Sequence, residues 1–546
     1  MILKKKILVI AGVSFSFIFS VLPAVHADLN EETYYPTVKN EPGWMGITLD
    51  NSIGLLEPSR LFAQLYPYGG EIQGQKLALC NSTKDAACQD PAYSYQFHSN
   101  LSACTSDAEL DCIQEIGEVK EDGTVTDAVH VNDYSNNGNF EADPSIGLPA
   151  GHGPNIWKIN SGGVEQKLAV VVGLDGNWAH GQAKVNLYGF SSSIQPVTEV
   201  TGPGYLAPRV TVVKRSFGDG PGWDTMALIK GCQIYEDGKC ALRQSFDLTK
   251  NYFMKVRLSQ PITGWLHGRM RDASIDVRTN ADKSSLVTIS AKPLQVPMVN
   301  GWSKWDELPA NVKALYPVGT GGTARVLSDF TTTDLSSRTM LTQSAVAGQQ
   351  AINEMNAWLP LLSDKATNMK SLWSARAMNG QLPIDLNKCP SAGGLTGIVG
   401  TNAAVYSDGP PSFDATTGSL NYTVGAPHFD SKGIVFGGFY QLNLRSDVAR
   451  CIYGFSNAPI SAKVDIASAD GTPRVAVTTI SEKNGWLNLT AAGFEFSTPK
   501  IAVKLIQEAP KVVIPSKVVV KKITCVKGKT TKVVTTATCP AGYKKK

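Results

Sequence analysis

The stretch from Ile434 to Leu505 most constrains the fold of this chain, because apolar and polar residues alternate along several short runs within it. One run places Tyr440, Leu442 and Leu444 between polar neighbours. Successive side chains of a strand point to opposite faces, so strict alternation is typical of half-buried strands. Turn-forming pairs separate the runs: Ser446-Asp447, Asp470-Gly471 and Asn484-Gly485. The pattern predicts an antiparallel β-sandwich.

A second set of strand-like runs precedes this stretch: Leu168 to Val172, Ala183 to Tyr188, Val210 to Val213, Met254 to Leu258, Ile275 to Val277 and Leu286 to Ala291. Between the two sets, Ser344 to Leu359 has helical spacing and Pro360 ends it. Ser363 begins a second segment with helical spacing, which runs to Ala377. We therefore predict a mainly β protein with tandem β-sandwich-like (Ig-like) domains, a short helical hairpin insert and disulfides.

Composition changes along the chain divide it into six parts. Its 546 residues are enough for several buried cores. The expected parts are a signal peptide (1–27), a turn-rich β region (28–150), a β-sandwich-like domain (151–300), a helical connector (301–385), a C-terminal β-sandwich domain (386–506) and a basic linker with a tail (507–546).

The N-terminus has the features of an export signal. Lys4, Lys5 and Lys6 precede an apolar run from Ile7 to Val21, and small residues before Ala27 suit a cleavage site there. An uncleaved membrane anchor is the alternative, although the run is short for a span of about 20 residues. No later run is long and apolar enough to cross a bilayer. We expect a secreted or cell-surface protein with no membrane span after cleavage.

The cysteines favour disulfides, because ten of them follow an export signal. Three pairs are eight residues apart and a fourth is fourteen apart, so local pairing is the economical interpretation, although the spacing alone leaves the connectivity open. The alternative is a metal site, but the chain has no C-x-x-C pair and no His near the cysteines. We expect no metal and no cofactor. The proposed disulfide cysteines are Cys80, Cys88, Cys104, Cys112, Cys232, Cys240, Cys389, Cys451, Cys525 and Cys539.

Charge is distributed unevenly along the chain. Residues 500–546 hold 12 Lys and one acid, Glu508, whereas residues 28–499 have a net charge of −10. A basic segment of this kind attracts polyanions in a salt-dependent way. It has no Arg and one aromatic residue, Tyr543, which argues against specific nucleic-acid recognition. The proposed polyanion-binding residues are Lys521, Lys522, Lys527, Lys529, Lys532, Lys544, Lys545 and Lys546.

Signatures of catalysis are scarce. The chain has no G-x-S-x-G, H-E-x-x-H or Walker A motif. Asp175 and His180 have the residue types of an orienter and a base, but a turn between strands is the favoured interpretation. Asp219 and Asp224 have the residue types of a glycosidase acid pair, although loop carboxylates are mostly solvated. We therefore assign no catalytic residue.

Four segments of the C-terminal half carry a resemblance: Val448 to Ser456, Ala458 to Ser461, Asn484 to Leu487 and Ala492 to Ser497. They resemble modules in uncharacterised secreted proteins of actinobacteria. The tail segments Ile523 to Lys532 and Cys539 to Lys546 resemble the basic tail of exported proteins of the same group. The resemblance implies an exported β protein and supplies no activity.

These observations favour a non-enzymatic, displayed or adhesive surface protein. Its β domains would be held outside the cell by the basic tail, bound to an anionic wall polymer or polysaccharide. The alternative is a secreted polysaccharide hydrolase with accessory β modules. β-Sandwiches occur in both classes, so the fold does not decide between them.

Overall fold

The computed structural model describes residues 31–546 with gaps. The residues outside the description, besides 1–30, are 35–38, 40, 51–56, 66–76, 91–92, 136, 180, 208, 216–217, 224–230, 317–323, 327–339, 344–345, 379–393, 458, 468–472, 475, 497–499, 508–521 and 536. The predicted signal peptide, Cys389 and Lys521 therefore lie outside the described residues. No helix within the described part is long and apolar enough to cross a membrane.

Strands dominate the first three hundred residues. They are β1 Trp44–Leu49, β2 Arg60–Leu65, β3 Leu77–Leu79, β4 Tyr93–Asn100, β5 Cys112–Val119, β6 Val125–Asp127, β7 Val129–Asp133, β8 Asn155–Ser161, β9 Val164–Trp178, β10 Asn186–Thr201, β11 Val210–Arg215, β12 Gly218–Trp223, β13 Cys232–Glu236, β14 Lys239–Arg243, β15 Asn251–Leu258, β16 Gly264–Arg269, β17 Arg271–Thr279, β18 Ser285–Lys292 and β19 Leu294–Lys304.

The second half adds sixteen strands and three α-helices within the described residues. The strands are β20 Ala324–Val326, β21 Met340–Gln343, β22 Asn368–Ala377, β23 Leu395–Thr401, β24 Val405–Tyr406, β25 Ser412–Asp414, β26 Ser419–Gly425, β27 Gly437–Arg445, β28 Ile460–Ala467, β29 Pro473–Arg474, β30 Val477–Lys483, β31 Trp486–Glu495, β32 Lys500–Gln507, β33 Ile523–Lys527, β34 Thr530–Val534 and β35 Lys544–Lys545. The helices are α1 Ala310–Lys313, α2 Gln349–Trp358 and α3 Ser446–Tyr453. Short 3₁₀ turns cover Glu31–Thr33, Ala86–Cys88, Trp305–Glu307 and Leu359–Leu362.

A long central sheet organises the body. Its strands lie in the order β3-β2-β4-β9-β10-β22-β16-β23-β27-β31-β30, and β16–β23 is the one parallel pairing on this path. The centre of the sheet therefore joins segments that are distant in sequence. In particular, β22 comes from the segment expected to be a helical connector, and it pairs with both β10 and β16.

Two smaller sheets cover the central sheet on opposite faces. On one face, Leu174, Phe190 and Leu266 share a core with Met254 and Ile289 of the sheet β17-β18-β15-β5-β6. On the other face, at the β23-β27-β31 end, a second core includes buried residues of α2 and of the sheet formed by β24, β25, β26, β28, β29 and β32. Burial of large apolar areas in these two cores is the main stabilising term for such layers.

The mainly β prediction is confirmed, because strands make up 56% of the structure and helices 9%. The Ig-like assignment of the domains stays a prediction. The Asn484-Gly485 turn joins β30 to β31, and both of its residues have positive φ, as a two-residue hairpin turn of this type requires. The first predicted helix corresponds to α2.

Two local predictions were wrong. The segment predicted as a second helix, from Ser363 to Ala377, contains β22 instead. This strand is buried on both faces, so its apolar residues do not alternate with polar ones. Their spacing therefore resembles that of a helix. Ser446-Asp447, predicted as a turn, begins α3 instead. Asp447 lies in the first turn of the helix, where its negative charge interacts favourably with the helix dipole.

A half-buried ion cluster joins β9, β10 and β14. Glu199 accepts hydrogen bonds from Lys167, from Tyr134 (2.9 Å) and from Lys239 (2.8 Å to Oε1). Burial acts to raise the pKa of Glu199, but these three donors outweigh it and lower the pKa to about 2. A carboxyl with a lowered pKa stabilises the folded state above its unfolded pKa of 4.5, and this contribution is lost as the pH falls from 4.5 towards 2.

We expect Glu199→Gln to lower the free energy of unfolding by about 2 kcal/mol at pH 7, because two lysines lose their shared carboxylate. The difference between the variant and the wild type should shrink below pH 4.5 and vanish near pH 2. Denaturant unfolding at several pH values measures it. Glu165→Gln is the control, since the exposed Glu165–Lys158 pair should contribute little. A difference that persists unchanged at pH 2 would contradict the assigned ionic role.

Candidate functional site

The basic C-terminus folds into a small three-stranded sheet, which we call the basic module (residues 522–546). Its strand order is β34-β33-β35, and Gly528 has the positive φ that the β33–β34 turn needs. Cys525 bonds to Cys539 and is the one buried residue among those described in the module. A sheet this small has no apolar core of its own, so the disulfide is its main stabilising link.

The basic module exposes its charge to solvent. Seven of the eight proposed polyanion-binding lysines are described, and all seven are exposed: Lys522, Lys527, Lys529, Lys532, Lys544, Lys545 and Lys546. No acidic residue occurs between residues 509 and 546. Four of the seven, Lys527, Lys532, Lys544 and Lys545, lie on the strands. The sheet sets the spacing of their backbone positions, so a polyanion meets a patterned cationic surface.

The other predicted disulfides lie in the body. Cys80–Cys88, Cys104–Cys112 and Cys232–Cys240 are bonded as the eight-residue spacing indicated. The last of these pairs crosses the hairpin whose turn contains Gly238, at a positive φ. Cys451 is also disulfide-bonded, and the described residues include no free cysteine.

A second candidate lies on the central sheet, where polar side chains follow one another across four neighbouring strands. We call this the polar row: His98 on β4, Asp175 on β9, Ser191 on β10 and Arg376 on β22. The register places Asp175 opposite His98, and Arg376 opposite Ser191. Directly opposed residues of paired strands point to the same face, so all four share one face of the sheet.

His98 and Asp175 form the centre of the polar row. The Nδ1 atom of His98 lies 2.9 Å from Oδ1 of Asp175, and the histidine side chain is 5% exposed. Burial acts to raise the pKa of Asp175, but the hydrogen bond from His98, the charge of His98 and the charge of Arg60 outweigh it and hold the pKa below its usual value. The carboxylate therefore stays ionised and fixes the orientation of the imidazole.

Two glycines make room for this pair. A methyl group added at Gly189 would lie 2.6 Å from Oδ2 of Asp175. One added at Gly173 would lie 2.7 Å from Oγ of Ser191, 2.8 Å from Cε1 of His98 and 3.3 Å from its Nε2. Glycine inside a strand costs stability and is typical of places where another group approaches the backbone closely. The serine hydroxyl and the imidazole edge therefore both pack closely over Gly173.

Cationic groups lie beyond Ser191. Arg376 donates a hydrogen bond to the hydroxyl of Tyr406, whose ring stacks on His267 at 3.5 Å between centroids. The described residues provide no ion-pair partner for Arg376. Next to it, the buried Arg269 donates to the carbonyls of Thr401 (2.9 Å) and Ala403 (2.5 Å). Burial lowers the pKa of Arg269 to about 10, so it remains charged at neutral pH.

A metal is a weaker interpretation of the same residues. Glu57, His98 and Asp175 offer ligand atoms within 4.8 Å of one another. However, the guanidinium of Arg60 lies 2.7 Å from Oε2 of Glu57, so it already balances the charge of one of the three ligands. A cation would have to displace it, and this competition disfavours a metal at this position.

The structure places the carboxylates that were considered from the sequence in different positions. Asp175 belongs to the polar row, but its partner is His98, 77 residues away, rather than the neighbouring His180, which is outside the described residues. Asp219 lies in β12, where the side chain is not described, and Asp224 is outside the description. His98, Ser191 and Arg376 were missed, because no local motif connects residues on separate strands. The glycines inside β9 and β10 were the available signal.

The chain matches no family model, and no curated protein or solved structure is similar to it.

Proposed function

We propose that this is an exported protein whose basic module holds it on an anionic polymer of the cell surface, so that the β body is displayed outside. The observation that carries the proposal is the cationic surface of the module, with seven exposed lysines and no acidic side chain. Disulfides in the body and in the module are consistent with an oxidising, extracellular compartment.

The uneven distribution of charge supports attachment through the basic module rather than through the body. The body is acidic, with a net charge of −10 over residues 28–499. A polyanion attracts the basic module and repels the rest of the chain, so the contact is confined to one end. Point charges on lysine side chains recognise phosphate or carboxylate groups along a polymer without demanding one sequence or sugar. A repetitive wall polymer is the class of partner that fits this surface.

We expect Lys527→Gln/Lys529→Gln/Lys532→Gln, on the β33–β34 hairpin, to weaken binding to long-chain polyphosphate at least about tenfold at low salt. Each lysine that is removed reduces the number of counterions released on binding. The matched control is Lys283→Gln/Lys432→Gln/Lys463→Gln, which removes the same charge from exposed body lysines. Titration across a salt series measures the slope of log Kd on log salt for each protein. Equal slopes for both variants would contradict attachment through the module.

A further inference from the structure

The polar row has the arrangement of a nucleophile, a base and an orienting carboxylate. Nδ1 of His98 is hydrogen-bonded to the carboxylate of Asp175, so Nε2 is the nitrogen available to accept a proton. Within the described residues Nε2 makes no hydrogen bond. It approaches Gly173 to 3.3 Å from the position that a methyl group on this glycine would take, and the hydroxyl of Ser191 approaches the same position to 2.7 Å from the neighbouring strand. A base that is oriented from behind and faces a serine is the pattern of acyl-transfer enzymes.

A buried polar atom points to a ligand at the same place. Asn100 is fully buried, lies opposite Gly173 in the register and donates through Nδ2 to the carbonyl of Glu57. Its Oδ1 has no hydrogen-bond partner among the described residues. Buried acceptors are normally satisfied, so a bound group that donates to Oδ1 beside His98 and Gly173 would complete its hydrogen bonding.

We propose that the polar row is a carboxylic-ester hydrolase site in which Ser191 is the nucleophile, His98 the general base and Asp175 the positioning residue. The hydroxyl oxygen of Ser191 attacks the ester carbonyl while Nε2 of His98 takes the hydroxyl proton. The tetrahedral intermediate collapses to an acyl-serine, and His98 returns the proton to the departing alkoxide. Water, deprotonated by His98, then releases the acid and regenerates the serine, so that ester and water give acid and alcohol.

The charge next to Ser191 defines the class of ester. Arg376 lies directly opposite Ser191, where paired side chains have Cβ atoms about 4.5–5.5 Å apart. Its guanidinium has no carboxylate partner among the described residues, and it suits two-pronged binding of a carboxylate or phosphate. The substrate is therefore an O-acyl ester with an anionic group close to the scissile bond. Such esters occur as substituents on anionic polymers, but the site does not depend on the attachment proposed above.

The first experiment measures covalent labelling and ester hydrolysis on residues 28–546. A fluorophosphonate should label Ser191 at one equivalent per chain, identified by peptide mass spectrometry. Ser191→Ala should abolish labelling, and both Ser191→Ala and His98→Asn should lower the rate with 4-nitrophenyl acetate at least about 100-fold. Ser193→Ala is the matched control, because Ser193 is buried on the same strand and its hydroxyl has no partner among the described residues.

The second experiment tests whether Asp175 orients His98 for catalysis or only stabilises the fold. Asp175→Asn should lower the rate at least about tenfold and move the rise of rate with pH to lower pH, a shift that a purely structural role would not cause. With a matched ester pair, 4-acetoxybenzoate should be preferred over phenyl acetate, and Arg376→Gln should remove the preference by raising KM for the anionic ester. Thermal unfolding verifies that each variant is folded. Labelling elsewhere than Ser191, or unchanged rates in folded Ser191→Ala, would overturn the proposal.

Discussion

Replacing Cys525 and Cys539 together by serine should unfold the basic module while the body remains folded. In the chain-entropy model a loop of about 15 residues closed by a disulfide contributes about 3 kcal/mol. The module buries only Cys525 among its described residues, so it has no apolar core to offset that loss. Small domains without a core depend on such links.

Limited proteolysis of residues 28–546 measures this effect. The double variant should lose the module within the time in which the wild type stays intact, whereas the thermal unfolding of the body should be unchanged. Cys232→Ser/Cys240→Ser is the matched control, because it removes a disulfide from the body and should leave the module resistant. A module that is equally resistant in both double variants would show that its strands are stable without the disulfide.

Arg269→Met should lower the free energy of unfolding of the body by about 4 kcal/mol. Arg269 is 1% exposed and donates to three backbone carbonyls: those of Thr401, Ala403 and, at 3.4 Å, Ala404. Removing the guanidinium leaves these buried acceptors unsatisfied and also removes its contact with the ring of Tyr406. Breaking one partner of a buried charged network typically costs about 3–5 kcal/mol.

Chemical denaturation measures the loss, with Arg278→Met as the control. Arg278 is also on a strand, but its side chain is 75% exposed and pairs with Asp276 at the surface. The control should change stability by less than about 0.5 kcal/mol. Equal effects of the two substitutions would mean that the hydrogen bonds from Arg269 to the backbone carbonyls do not stabilise the folded state.

The sequence predicted features that depend on near neighbours. Alternation in 440–444 identified β27, and the Asn-Gly pair identified the β30–β31 turn. Cysteines eight residues apart predicted local disulfides, because a short loop brings them together whatever the rest of the chain does.

Features that depend on distant pairing were not predictable in the same way. The central position of β22 is set by β10 and β16, which both lie more than one hundred residues earlier, and burial on both faces removed its alternation. The polar row shows the same limit, because His98, Asp175 and Ser191 become neighbours only through the register of β4, β9 and β10. Gly173 and Gly189 indicate close approach, but not which side chain approaches.

The most direct test of the attachment is a wall-binding measurement with two chains, residues 28–546 and residues 28–507. The shorter chain keeps β32 and lacks the basic module. Both are incubated with purified bacterial cell walls across a salt series, and the bound fraction is determined after sedimentation. We expect only the longer chain to bind at low salt, and salt to release it as the Debye length shortens. Equal binding of both chains would contradict the account and place the wall-binding surface on the β body.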